Sequence, residues 1–244
     1  MNAIAPETPA LDLAALNEEF AQLTLKERFA LIGERFGERA IASTSAGAQA
    51  SVMLHLVTKH LPQLPIVFID TGYHFRETYH YLETLKERFG ADFRVYTSKI
   101  TPARQEALWG QRWEGDAKDL EQYGLLNKVE PMNRALRELG ATTWLSGVRR
   151  AHSSGRAQRN FFEQQKGTLK IFPILDWSED DMANYMTLYS LPAHPLVEKG
   201  YVSIGDWHST KPLEEGMHAE DTRFNGIKRE CGLHEASDVS NFQI

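Results

Sequence analysis

The chain has one thiol, Cys231, set in the run Lys228-Arg229-Glu230-Cys231-Gly232-Leu233-His234. A lone thiol cannot close an intrachain disulfide, hold an iron–sulfur cluster by itself or form a CxxC redox pair. Two readings fit it. Free cysteines are among the most buried residues, so Cys231 could be inert; or it is a reactive thiol whose partner comes from another molecule. The cations ahead of it, the glycine behind it and the lack of apolar periodicity around it favour the reactive thiol.

The other candidates suit anions. Ser43-Thr44-Ser45-Ala46-Gly47 joins a strand to a helix and offers hydroxyls, backbone N–H groups and a helix N-terminus, the parts of an anion cradle. It lacks the Gly-Lys-Ser/Thr of a Walker A loop. Asp70-Thr71-Gly72 follows a second strand; its carboxylate suits a ribose or adenine group, and a capping Asp in a turn is the plainer reading. From Gly147 to Lys170 the chain carries Arg149, Arg150, Arg156, Arg159, Lys166 and Lys170 against Glu163 alone. Guanidinium forks grip phosphate or sulfate oxygens bidentately, so this stretch reads as a substrate loop rather than a solvated surface because it follows a strand. His208 suits a hydrogen bond to an anion, since the histidines lack the spacing of a zinc site.

Alternating strands and helices must position these groups. Leu11 to Leu23 is amphipathic, and Thr24 with Glu27 forms a capping box for a helix closed by Gly37. Strands are expected at 40–43, 66–69, 93–97, 142–145 and 169–174. Helices are expected at 48–60, 75–89, from Pro131 to Leu139, and from a Ser178 cap to Tyr189. This is an α/β fold, a mostly parallel sheet with helices on both faces, and ligands of such sheets bind beyond the carboxyl ends of the strands. The division expected is a helical segment at 1–37, a nucleotide-binding α/β domain at 38–192 and an irregular C-terminal extension at 193–244. With 244 residues and a net charge of −6 the chain can bury a full core, and its acidity argues against binding long nucleic acid. No apolar run is long enough to span a bilayer, so no membrane partner is expected. One cysteine and no secretory signal fit a reducing cytoplasm.

In order along Ala40 to Glu235, the motifs Ser43-to-Gln49, Asp70-Thr71-Gly72-Tyr73, Asn127-Lys128-Val129-Glu130-Pro131-Met132, Gly147-Val148-Arg149-Arg150, Pro173-Ile174-Leu175-Asp176-Trp177, His194-Pro195-Leu196, Gly200-to-Asp206 and Glu230-to-His234 resemble the assimilatory 3′-phosphoadenylylsulfate (PAPS) reductases. The last motif, built on the single Cys, is the most specific. The resemblance implies an adenine-nucleotide α-hydrolase-like fold, a homodimer and a mobile C-terminal segment that brings Cys231 over the substrate. It further implies that Ser43, Ser45, Gly47 and the arginines Arg149, Arg150 and Arg156 hold anionic groups. Asp70, Thr71 and Gly72 would line the adenosine, and Lys128 and His208 would assist near the phosphosulfate. Lys211 and Ala46 depart from the family pattern, which expects an arginine and a bulkier residue.

The implied reaction releases sulfite and adenosine 3′,5′-bisphosphate for sulfate assimilation and cysteine biosynthesis. It passes through an S-sulfocysteine, with reduced thioredoxin or glutaredoxin as external electron donor. Related adenylylsulfate (APS) reductases often carry cluster cysteines near the position of Lys128; here the count excludes a cluster and favours PAPS, with a cluster-free APS reductase as the alternative. An ATP-pyrophosphatase relative lacks support in the phosphate loop. A non-catalytic nucleotide-binding protein with Cys231 as redox sensor stays open.

Overall fold

The computed structural model describes residues 11–152 and 154–223. Cys231 and His234, and with them the expectations for the C-terminal motif, lie outside the described residues.

Two helices come first, α1 (Leu13–Gln22) and α2 (Leu25–Phe36); the Thr24–Glu27 capping box opens α2 as the sequence suggests. Five parallel-strand positions follow: β1 (Ala40–Thr44), β2 (Ile66–Asp70), β3 (Phe93–Thr97), β4 (Thr143–Leu145) and β6 (Thr168–Ile171). Between them run α3 (Ala50–His60), α4 (Arg76–Phe89), α5 (Pro102–Trp109), α6 (Ala117–Gly124) and α7 (Glu130–Glu138). The sixth strand, β5 (Phe162–Gln165), pairs antiparallel with β6 at the edge of a sheet ordered β3-β2-β1-β4-β6-β5. After the sheet comes α8 (Glu179–Leu188), opened by a Ser178–Asp181 capping box.

The strand order reverses at β1: β2 and β3 lie on one side, β4 on the other. Such a reversal opens a crevice at the carboxyl ends of the strands that flank it. One face of the sheet is covered by a large core with side chains from α1, α2, α3, α4 and α8, including Phe20, Phe29, Val52, Leu85 and Met182. On the other face α7 packs Met132 and Ala135 against Ile41, Val67, Ile69 and Trp144. Burial on both faces is why the central strands read as continuous apolar runs. Phe20, Phe29 and Ile32 share the core of the α/β unit, and Arg28 forks onto Asp176 at 2.7 and 2.8 Å, so α1 and α2 are integral to it.

Two expectations need correction. The helix expected to begin at Pro131 runs without a break from Ala117, through a π turn at Leu125–Val129. There the Glu130 N–H donates to the Leu125 carbonyl, and this wider turn takes up a proline that would break a regular helix. The basic stretch from Gly147 to Lys170 is not one loop. Its second half is the β5–β6 hairpin, turned through Lys166 (φ 47°) and Gly167 (φ 80°), the two positive φ values of a tight hairpin turn. Lys170 is buried with its ammonium 4.2 Å from the Trp144 ring, and Arg159 pairs with Glu163 at 2.7 Å. Among the described residues no helix is long and apolar enough to cross a membrane.

Candidate active site

The β1–α3 loop forms the first wall of the crevice. Ser43 is still in the strand, and its Oγ accepts from Trp144 Nε1 at 2.7 Å, which binds β1 to β4. The Thr44 hydroxyl accepts from the Ala46 N–H, and Ala46 is buried at φ 48°. That tight turn exposes Ser45 and leads into Gly47, where an added Cβ would stand 3.3 Å from Ser45 Oγ and 3.7 Å from the Ile204 carbonyl. The C-terminal extension therefore lies directly against the loop. No side chain caps the first turn of α3, whose N–H groups follow this loop.

Arg149 reaches the same loop from the end of β4. It is fully buried, and Nη2 donates to Gln49 Oε1 at 2.7 Å and to Glu179 Oε1 at 2.8 Å. Gln49 in turn donates to Glu179 Oε2 at 3.0 Å. One guanidinium thus fastens the start of α3 to the start of α8. Arg150 does not follow it to Gln49 and Glu179. Its Nε and Nη2 donate to the Arg159 carbonyl at 3.0 and 2.9 Å, its guanidinium lies 5.3 Å from the Phe161 ring, and it borders a surface cleft with Asn17 and Ala21 of α1. Successive residues leave the chain in different directions, and the Phe161 ring with the Arg159 carbonyl hold the second. Arg156 is half-buried in the short turn Ser154–Arg156.

At the end of β2, Asp70 Oδ1 accepts from the Gly72 N–H and from Tyr79 Oη, both at 2.8 Å, so the carboxylate shapes its own turn. Gly72 has φ 75°, and a Cβ there would stand 2.5 Å from Pro102 Cγ; glycine is required on both counts. Thr71 is buried and donates to Asp206 Oδ1 at 2.6 Å. Asp206 itself is fully buried, and its Oδ2 lies 2.6 Å from Lys128 Nζ. Burial pushes the Asp206 carboxyl up, but the Lys128 ammonium, His74 and the Thr71 hydroxyl outweigh it and hold it well below the usual carboxylate range. Lys128 sits in the π turn; the neighbouring Asn127 exchanges two amide hydrogen bonds with Gln105 of α5, at 2.7 and 3.0 Å.

His208 follows two residues after Asp206, in an aromatic enclosure. Its ring stacks on Trp113 (4.3 Å, 15° between planes), meets Tyr73 and Tyr123 edge-on, and pairs through Nε2 with Tyr123 Oη at 3.1 Å. Burial pushes His208 down to about 4, with Lys128 and Arg223 adding to this and Asp206 opposing it, so the ring is neutral at pH 7. Burial and the nearby carboxylates Glu106 and Asp206 push the Tyr73 phenol up.

These contacts make one arc. It runs from Arg149 through Gln49 to the Ser45–Gly47 loop, then across Ile204 to Asp206, Lys128 and Thr71. Asp206, Gln49, Glu179, His74, Tyr73, Tyr123 and Trp113 were not among the expected site residues. The Gly205-Asp206 pair beside His208 was the available signal for the first; the others became visible only through packing. No group of three or more His, Cys, Asp or Glu side chains able to hold a metal ion occurs among the described residues.

A doubly covered α/β sheet with a polar crevice at its switch point defines a nucleotide-binding α/β protein. Residues 39–212 match the phosphoadenosine phosphosulfate reductase domain family, and the chain belongs to that family. It is 44% identical over 235 residues to the phosphoadenosine 5′-phosphosulfate reductase of Sodalis glossinidius, covering 96% of each chain. It is 47% identical over 233 residues to that of Xylella fastidiosa, covering 95% of this chain and 98% of the relative. The crystal structure of the phosphoadenylyl-sulfate (PAPS) reductase from Candida auris, a phosphate complex, superposes with a TM-score of 0.72 at 28% identity. It covers 86% of this chain and 99% of that one. The fold alone is shared with the FMN adenylyltransferase of Candida glabrata in complex with FAD and pyrophosphate, at a TM-score of 0.58 and 14% identity. That match covers 96% of this chain and 81% of the other.

Proposed function

We propose that this protein reduces PAPS to sulfite and adenosine 3′,5′-bisphosphate, with Cys231 as nucleophile and a dithiol protein of the thioredoxin or glutaredoxin class as electron donor. The observation that carries the reading is the arc of hydroxyl, backbone N–H and cationic groups at the switch point, in a chain of this family. The Ser45–Gly47 loop and the first turn of α3 would take the phosphosulfate, with Arg149 holding the loop and Lys128 supplying positive charge. Asp70 and Gly72 would lie on the adenosine side, and Arg156 beside the anionic groups.

Chain geometry supports the role of the thiol. Arg223 forms a β-bridge with Thr210, and its guanidinium packs against Gly205, next to Ile204 and the loop. Cys231 is eight residues further on, and eight residues reach at most about 29 Å. The Cys231 thiolate attacks the sulfonate sulfur; the S–O bond to the phosphate breaks and the bisphosphate leaves with the electron pair. A donor thiolate then attacks Cys231 Sγ, sulfite departs with the bonding pair, and the resulting mixed disulfide is resolved by the donor's second cysteine. Two electrons come from the donor, as a chain with one cysteine requires. The same reading includes a homodimer without an iron–sulfur cluster, working in a reducing cytoplasm.

The test is sulfite release from PAPS and from APS in parallel, with and without reduced thioredoxin. Turnover of PAPS only with reduced thioredoxin is expected. Preference for APS would move the substrate assignment, and binding of either nucleotide without turnover would make the protein a sensor.

A further inference from the structure

We propose that Asp206 is the positioning residue of this site, setting the Lys128 ammonium for substrate and locking the C-terminal extension onto the nucleotide loops. The inference rests on the reading above in one respect, that Lys128 touches the nucleotide.

Two separate parts of the chain, the 71–74 connection and the π turn, converge on this one carboxylate. Oδ1 accepts from Thr71 at the end of β2 at 2.6 Å, and Oδ2 meets Lys128 of the π turn at 2.6 Å. His74 Nδ1 stands 3.9 Å from Oδ1, and the main chains of His74 and Asp206 form a β-bridge. Just beyond, the Trp207 N–H donates to the Tyr73 carbonyl at 2.9 Å and the Ser209 N–H to the Asp206 carbonyl at 3.1 Å, which fixes the turn bearing His208. The Asp206 side chain is wholly removed from water and that of Lys128 is 8% exposed. A charge so buried persists only with its counter-ion, and losing one partner leaves the other charge uncompensated. Lys128 rides on a π turn, a helix distortion common at functional sites, and Asn127 beside it is held by Gln105. The backbone of Lys128 is therefore set by the helix, and its ammonium is directed by the contact with Asp206.

A double-mutant cycle separates this from a scaffold role. The variants Asp206→Asn, Lys128→Met and the pair are compared for KM and kcat with PAPS, and for the Kd of adenosine 3′,5′-bisphosphate by calorimetry on the full chain. Asp206→Asn should raise KM and Kd tenfold or more with a smaller change in kcat. Lys128→Met should raise them at least as much, and the double variant should be no worse than Lys128→Met. An extra tenfold loss from Asp206→Asn in the Lys128→Met background would overturn the proposal, since the carboxylate would then act independently of the ammonium. Wild-type binding by Lys128→Met would instead remove the premise that Lys128 touches the nucleotide, and the inference would fall with it. If Asp206→Asn does not fold, Asp206→Glu takes its place in the same cycle. A threefold or larger rise in KM that disappears in the Lys128→Met background supports the proposal; one that persists defeats it.

Discussion

Neighbouring residues of one type make unrelated contacts here, and Arg149 and Arg150 show it. Arg149 contacts the loop that would hold the phosphosulfate, while Arg150 turns to the Arg159 carbonyl and Phe161. Charge-assisted hydrogen bonds are worth about 1.5–3 kcal/mol, and about 1.4 kcal/mol is a factor of ten. Arg149→Ala should therefore lower kcat/KM for PAPS by about one to two decades, and Arg150→Ala should change it less than about threefold. Steady-state kinetics on the two variants decides this, and equal losses would place Arg150 in the site. The buried histidines give a pH signature. His194 and His208 are each pushed down to about 4 by burial, against about 6.5 when unfolded. Between those values the unfolded chain binds the protons and the folded one does not. Their contribution to stability is complete above about pH 6.5 and is lost as pH falls toward about 4. The urea midpoint should drop from pH 7 to pH 5, and by less in His208→Gln; an unchanged drop in that variant would show that His208 is not held neutral in the fold.

At the scale of elements, what the sequence made legible was whatever has a local cause. The Thr24–Glu27 and Ser178–Asp181 boxes satisfy helix N–H groups from within four residues, so their motifs mark true helix starts. Ile66 to Ile69 of β2 form an unbroken apolar run because both faces of the strand are covered there. What was illegible depends on distant partners. Gln164 and Gln165 gave no apolar alternation, and β5 exists because β6 pairs with it. Pro131 looked like a helix start because nothing local announces a π turn. The β2–α4 corner offers a test of such long-range fit. Gly72→Ala must bear both a positive φ and the approach to Pro102, whereas Gly90→Ala, at φ 56°, meets nothing within 4 Å. Gly90→Ala should cost about 1 kcal/mol and Gly72→Ala about 2–3 kcal/mol or more by urea unfolding. Equal costs would mean that α5 yields freely.

For the whole molecule, the parallel α/β class and the crevice at the strand ends followed from alternating strands and helices, but the order β3-β2-β1-β4-β6-β5 did not. Order is set by which apolar faces meet across the sheet, a property of pairs far apart in sequence. The arc from Arg149 to Lys128 was equally hidden, because Asp206 and Gln49 join it through contacts 78 to 135 residues apart in the chain. A protein with one cysteine should also purify colourless, with iron well below one equivalent by elemental analysis; iron that rises and falls with activity would contradict the proposed chemistry. The central claim is that one thiol takes the sulfonate and an outside thiol releases it. Reduced enzyme is mixed with PAPS in the absence of any donor, and the nucleotide product and the intact protein mass are measured together. The account predicts one equivalent of adenosine 3′,5′-bisphosphate per chain and a protein heavier by one SO₃ group, located on Cys231 and absent from Cys231→Ser. Continuous sulfite release without donor, or sustained turnover by Cys231→Ser, would contradict it.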